Sequence, residues 1–600
     1  MTINTPRWDL SNVYPGLESM EFQAATNELK EKIANLEAFF NQNAAIMGKD
    51  TPLPKLAQAV GQMIDDFNTI YELSSTLRAY LLSFISTDSH NTTAMHLQSE
   101  YEQTDVRLQK LDVRFSAWIG KLQASLPEMI QVDPIVHAHA FFLKETAEQS
   151  KYLMSEVEEA LAAELSLSGA NAWHKLQGVV TSQLTVNFEL DGKMQKLPMP
   201  ALINLHSHPD SGVRKRAYEA EMTAWDTVRE PLAACMNGVK GSANTLNAKR
   251  GRSDALHASL DQARIDRATL EAMLGAMKDS FPVFHRYFQA KASRFGADKL
   301  PWWDIFAPTG KTGRVFTFDQ ARDFICEHFN KFSLELSAFA RNAVDNNWID
   351  AEQREGKRGG AFCMGVPLVK ESRILSNFDG TLGQVSTLAH ELGHGFHNYC
   401  SYQAGKTALQ RNTPMTMAET ASIMCETIIK RAALDQATDP QEQLAILEVS
   451  LTGHAQVIMD IYSRYLFEKE VFERRAASEL SADELCDIME HSQKAVFAGG
   501  IDERYLHKYM WTWKPHYYFP SLSFYNFPYA FGLLFGTGLY AIYQQRGAEF
   551  VPDYKKLLAS TGEGTAAELA DRFGINIRTS SFWEDSLAVI AAEVDRYCAI

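Results

Sequence analysis

Cysteine is scarce in this 600-residue chain, and its seven residues, Cys235, Cys326, Cys363, Cys400, Cys425, Cys486 and Cys598, are scattered without a C-x-x-C pair. An odd, dispersed set excludes a disulfide framework and reads as reduced thiols in a cytoplasmic protein. Positive charge is short too: 58 Lys and Arg against 74 Asp and Glu leave a net charge of -16. Phosphate binding wants a basic surface, so nucleic acid is excluded as the main partner. The N-terminal M-T-I-N-T-P-R-W-D-L lacks the apolar run of a secretory signal. Long uncharged runs are rare as well. The exception lies between Lys514 and Arg546 and is long enough to cross a bilayer. Pro515, Pro520, Pro528, Asn526, His516 and several tyrosines make it a poor lipid-facing helix, so buried protein interior is expected and no membrane partner.

What is present is mostly helical. From Glu18 to Leu122 apolar residues recur at three- and four-residue spacing, and the pattern continues over 127–180. There Ser155 and Glu158 form a capping-box signature. The period then changes: L-T-V-N-F-E-L-D-G-K-M-Q-K-L-P alternates around Asp191-Gly192, which predicts a hairpin near 183–198. Helical text resumes to Lys249, from Asp266 to Phe295 and from Thr317 to Val344. A soft boundary near residue 200 separates an N-terminal helical domain, 1–200, from a domain covering 201–600. Nothing there resembles a flexible linker.

The richest stretch is S-T-L-A-H-E-L-G-H-G-F-H-N, Ser386 to Asn398. Two histidines four apart on a helix share one face, so His390 and His394 can reach one metal ion, and the residue types suit zinc. Glu391 projects beside them, where a carboxylate can take a proton from a metal-activated water. A single His-Glu-x-x-His arises by chance in a chain this long at roughly a few per cent, but Leu388, Leu392 and Phe396 supply the buried helical face the motif needs. Gly393 and Gly395 cost helix stability, about 1 kcal/mol each against alanine. Glycine there therefore points to close packing beside the metal.

A catalytic zinc site has three protein ligands and an open position. Metzincins would place glycine at 397 and histidine at 400; His397 and Cys400 exclude that class. No Asp or Glu intervenes between His394 and Glu419, which opens the helical run M-A-E-T-A-S-I-M-C-E, so Glu419 is the expected third ligand. Glu426, seven positions on and on the same face, is expected to hold the free N–H of a ligand histidine. His397 is expected behind the ligands rather than as a fourth, since a fourth would close the site. Before the motif, Ala361 to Val369 and Arg373 to Phe378 read as two short strands with a turn at Lys370 to Ser372. An edge strand there could pair with an extended peptide, or simply form a structural hairpin. Gly359, Gly360 and Gly380 fit close backbone approach.

H-E-L-G-H-G-F-H, the M-A-E-T-A-S-I-M-C-E helix and H-Y-Y-F-P-S-L-S-F-Y-N-F-P-Y-A-F-G together resemble the thimet oligopeptidase superfamily of zinc metallopeptidases. R-W-D-L-S-N-V-Y-P-G and G-A-F-C are similar to its oligoendopeptidase F branch. The resemblance covers nearly the whole chain. It implies a mostly α fold, a large helical ellipsoid with a deep substrate channel and a small β-sheet near the zinc, residues 1–200 forming one channel wall. In that family the third ligand lies twenty-five positions after the second histidine, at Glu419 here. The resemblance further implies one Zn2+ per chain and hydrolysis of internal bonds of short unstructured oligopeptides by a cytoplasmic monomer or weak homo-oligomer. His516 with Tyr525 or Tyr529 would stabilise the oxyanion, while Gly360, Ala361, Phe362 and Tyr518 would touch substrate. Better-known members carry a glycine-rich loop after the histidine, where this chain has prolines and bulky residues, so Tyr518 stays a further candidate for the oxyanion. Two other readings remain: a zinc carboxypeptidase, and a zinc-stabilised peptide-binding protein, which has no use for Glu391.

Overall fold

In a computed structural model, residues 5–44, 46–48, 50–310 and 314–600 are described. The helical periodicity of the first third becomes three long helices, Met20–Phe39, Leu53–Thr87 and Thr92–Lys121, the first capped by Ser19 and the third by Asn91. Their buried faces, among them Leu29, Ile33, Val60, Ile64, Phe67, Leu108 and Phe115, form one apolar cluster. Each such side chain, fully buried, contributes about 1.5–3 kcal/mol.

The protein is mostly α, with two small sheets among the described residues. It packs as two units, each made of three separate stretches. One combines Met1–Tyr152, Arg314–Ala432 and Ile542–Ile575; the other combines Leu153–Gly313, Ala433–Ala541 and Asn576–Ile600.

The predicted hairpin is present in the second unit as β1 (Thr185–Leu190) and β2 (Lys193–Pro198), paired antiparallel. Asp191 and Gly192 both take positive φ, 53° and 73°, as the two-residue turn that matches strand twist requires. The capping box at Ser155 and Glu158 also forms. Two helical stretches are shorter than their periodicity suggests. Thr317 to Val344 is two helices, Phe318–Phe332 and Leu334–Asp345, because Ser333 is extended and caps the second. Asp266 to Phe295 likewise divides ahead of Pro282. The uncharged stretch after Lys514 holds the helix Phe527–Arg546, whose residues from Phe531 to Tyr540 are all buried.

The first unit carries the three-stranded sheet, in the order β3 (Ile349–Asp350), β5 (Glu371–Leu375), β4 (Phe362–Val366). β3 runs parallel to β5 and β4 antiparallel to it. The strands are shorter than the expected Ala361 to Val369 and Arg373 to Phe378. Pro367 cannot donate to a ladder; Pro367–Val369 forms one 3-10 turn, and Lys370 at φ 54° reverses the chain. β4 is thus an edge strand. Both strands lie against the helix Leu382–Gln403, and Asn398 Nδ2 donates to Ser372 Oγ at 3.1 Å.

Candidate metal centre

The helix Leu382–Gln403 carries the two motif histidines. It starts at Thr381, whose hydroxyl accepts from Gln384 N–H, and Leu388, Leu392 and Phe396 are buried along one face. Gly393 is where this helix meets the next chain segment: a Cβ there would lie 2.6 Å from Ala421 O and from Ser422 Cα. A Cβ on Gly395 would come within 2.9 Å of the Phe339 ring. The helix-weakening glycines therefore serve close approach, as their cost suggested. Glu419 sits at the junction between the short helix Met415–Ala418 and the helix Thr420–Gln436. The tight crossing at Gly393 carries that junction to the histidines.

The donor atoms of His390, His394 and Glu419 all fall within 4.8 Å of one another. Glu419 Oε2 is 3.2 Å from His390 Nε2 and 3.6 Å from His394 Nε2. Ligand atoms bonded tetrahedrally to zinc at 2.0–2.1 Å are separated by about 3.3–3.4 Å, so the set fits the ion in both chemistry and spacing. Two of the three donors, His390 and Glu419, are held from behind. His390 Nδ1 lies 2.9 Å from Glu426 Oε2, which assigns the proton to Nδ1 and leaves Nε2 free as donor to a metal. Burial raises the Glu426 pKa, but Lys430 and His390 outweigh it and hold this carboxyl below the usual range. Ser422 Oγ donates to Glu419 Oε2 at 2.6 Å. Burial also works against the Glu419 charge, yet His390 and His394 hold it at about 2.

Glu391 is buried, with Oε2 lacking a hydrogen-bond partner among the described residues. Burial first, opposed by His390 and reinforced by Glu419 and Glu426, lifts it to about 7, the range in which a carboxylate exchanges protons near neutrality. His390, Glu391, His394, His397 and Glu419 line one cavity of about 630 Å³, together with Ala361 and Phe362 at the start of β4. Gly360, just before them, takes φ 82°.

His397 turns its Nε2 to Thr561 Oγ1 at 2.8 Å, and burial, then His394, pushes it down to about 4. It is not in the converging donor set. The remaining expected residues lie in the other unit. There His516 is buried, with Asn526 Nδ2 2.7 Å from its Nε2. Burial, then Arg464 and Lys514, keep the imidazole neutral, at about 2. Tyr525 stacks on His516 with ring centroids 5.7 Å apart, and its hydroxyl meets that of Tyr529. Tyr518 is a correction: it is 0% exposed and its hydroxyl donates to Trp511 O at 3.1 Å, so it offers no surface to a peptide. Its aromatic neighbours in sequence concealed that it belongs to the core.

Lys430 and Ser422 were not anticipated, although both were within reach. Lys430 follows Glu426 by four positions, the spacing of a helical ion pair. Ser422 follows Glu419 by three. Thr561 and Asn526 carried no such local signal.

Fold and donor set define a mostly helical metallopeptidase. The chain belongs to peptidase family M3: residues 204–589 match the profile described as Peptidase family M3, and residues 123–185 match that described as Oligopeptidase F. Among curated relatives, Oligopeptidase PepF of Bacillus subtilis is 22% identical over 482 residues, covering 79% of this chain and 70% of that protein. The plasmid-encoded Oligoendopeptidase F of Lactococcus lactis subsp. cremoris is 24% identical over 480 residues, covering 78% and 76%. The crystal structure of oligoendopeptidase-F from Enterococcus faecium superposes with a TM-score of 0.68 at 18% identity, covering 96% of this chain and 98% of that one. That last likeness is one of fold.

Proposed function

We propose that this metallopeptidase is a zinc endopeptidase of short unstructured oligopeptides, with His390, His394 and Glu419 as ligands and Glu391 as the proton-transferring base. The observation that carries the reading is the convergence of those three donors in the cavity that Glu391 also lines. Zinc bound there would supply a Lewis acid for the scissile carbonyl and for the attacking water. Glu391 takes the proton of that water and returns it to the leaving amine, with an Oε2 that has no other hydrogen-bond partner among the described residues. Glu426 fixes the tautomer and orientation of His390, and Lys430 keeps Glu426 ionised.

The edge strand β4 supports an extended peptide as substrate. Its free backbone groups can pair with a peptide backbone irrespective of side chains, with Gly360, Ala361 and Phe362 at the point of entry. We assign oxyanion stabilisation to His516 with Tyr525 or Tyr529: a neutral imidazole that accepts from Asn526 at Nε2 keeps an N–H at Nδ1 to donate. The division near residue 200 is kept in this proposal only as the gap between the matched stretches 123–185 and 204–589; the compact units divide the chain elsewhere, first after Tyr152.

Cleavage-site mapping on a mixed peptide library tests the reading, with and without a chelator and with C-terminally amidated members. Internal cleavage that survives amidation, stops on chelation and returns with Zn2+ is expected. If amidated peptides are spared, the enzyme is a carboxypeptidase and the reading fails.

A further inference from the structure

The second unit contains a cavity of its own, about 230 Å³, whose lining includes Phe288, Trp302 and Phe497 and also Asp460, Arg464 and Lys514. The aromatic residues are ordinary core in composition. The polar residues are not, because their groups are incompletely used. Arg464 gives Nη2 to Asp460 Oδ2 and lies with Nη1 3.4 Å from Asn526 Oδ1, while its Nε has no hydrogen-bond partner among the described residues. Asp460 Oδ1 has none either, nor has Nε1 of Trp513, which also lines the cavity. Asp460 and Arg464 are each 7% exposed, and a buried polar atom without a partner costs about as much as a lost hydrogen bond.

Lys514 adds an accessible cation. It is half-buried, lines the same cavity, rests with Nζ 3.7 Å from the Trp513 ring centroid, and makes no ion pair among the described residues. Burial, then the like charge of Arg464, pushes its ammonium down to about 7, a strain that an incoming carboxylate relieves.

We propose that this cavity binds a free α-amino acid with a large apolar side chain. Its carboxylate is taken by Lys514 and Arg464, its ammonium by Asp460, and its side chain by Phe288, Trp302 and Phe497. The mixed polar wall selects the class. A bare dianion such as phosphate would gain the two cations but meet the Asp460 carboxylate, and an apolar molecule would leave every orphaned atom unsatisfied. A zwitterion supplies both an acceptor and a donor, and the volume suits one amino acid rather than a longer peptide. Bound water is the competing occupant, since it too can bridge a donor and an acceptor.

Calorimetric titration of the full-length protein with L-phenylalanine distinguishes them, alongside 3-phenylpropionate, 2-phenylethylamine and inorganic phosphate. Saturable binding of L-phenylalanine is expected in the roughly millimolar range or tighter, with the three partial ligands weaker. Lys514→Gln, which breaks no ion pair, should weaken it about tenfold or more. Ala455→Leu, which fills the cavity and leaves its charges in place, should abolish it. Thermal unfolding of both variants shows that they are folded. No binding to about 10 mM overturns the proposal in favour of water. Binding that both folded variants retain, or that His390→Ala alone removes, overturns it by placing the amino acid elsewhere.

Discussion

Two histidines and a glutamate meet in each unit, and the two meetings have opposite chemistry. In the first unit, His390 and His394 sit on one helix and bring their Nε2 atoms to the same oxygen of Glu419, with side chains 23–24% exposed at the wall of a cavity. In the second, His206 and His507 approach opposite oxygens of Glu221, at 3.2 and 2.9 Å, and Trp225 Nε1 donates to one of them at 3.0 Å. Glu221 is 0% exposed. The first arrangement gathers lone pairs around one point and leaves that point open; the second surrounds one carboxylate with donors. Convergence and access, not residue type, separate a ligand set from a structural anchor.

Four substitutions put that contrast to the test. The largest effect belongs to Glu391→Gln, which should lower kcat about 10³-fold while metal content stays that of the parent; a metal-loaded variant of undiminished activity would remove Glu391 from the mechanism. Next comes Glu221→Gln. Burial raises the Glu221 pKa, but His507 and His206 outweigh it and hold it well below the carboxylate range. Loss of that charge should lower the thermal midpoint by roughly 5 °C or more at neutral pH, with metal content unchanged. Because the folded-state pKa is depressed, the stabilisation is present above the ordinary carboxylate range and lost as pH falls below it. The gap between parent and variant should therefore close in acid, and a constant gap would assign the effect to packing instead.

Gly393→Ala follows. Its Cβ would press on backbone at 2.6 Å, so the crossing must open, at a cost of roughly 1–3 kcal/mol in denaturant unfolding and with weaker metal retention in a chelator competition. Unchanged metal affinity would mean that the crossing does not set ligand spacing. The smallest effect is expected from Glu426→Gln, about a tenfold loss of metal affinity, read by the same competition. Equal affinity would show that His390 keeps its tautomer without help.

Much of the first site was legible because it is local. His390, Glu391 and His394 lie within one and a half helical turns, and Glu419 is the first carboxylate after them. Even the crossing at Gly393 could be read, since a glycine that weakens a helix needs a packing reason. The mostly helical fold and the hairpin at Asp191-Gly192 followed from periodicity and turn chemistry. What escaped depends on segments that only folding brings together: Thr561 against His397 across 164 positions, and His507 against Glu221 across 286. Tyr518 shows the converse limit, because an aromatic-rich stretch looks the same whether its rings line a site or fill a core.

The interleaved order of the first unit has a consequence for synthesis. Its last stretch, Ile542–Ile575, supplies Thr561 to His397, the Glu563 carboxylate to Lys406 and the Tyr554 hydroxyl to Thr420 O. A ribosome that has already delivered the motif must therefore make well over a hundred further residues before those braces exist. Until then the metal-binding helix has its upstream neighbours, among them β4, β5 and Phe339, to pack against. The centre is thus encoded well before the segment that completes its support.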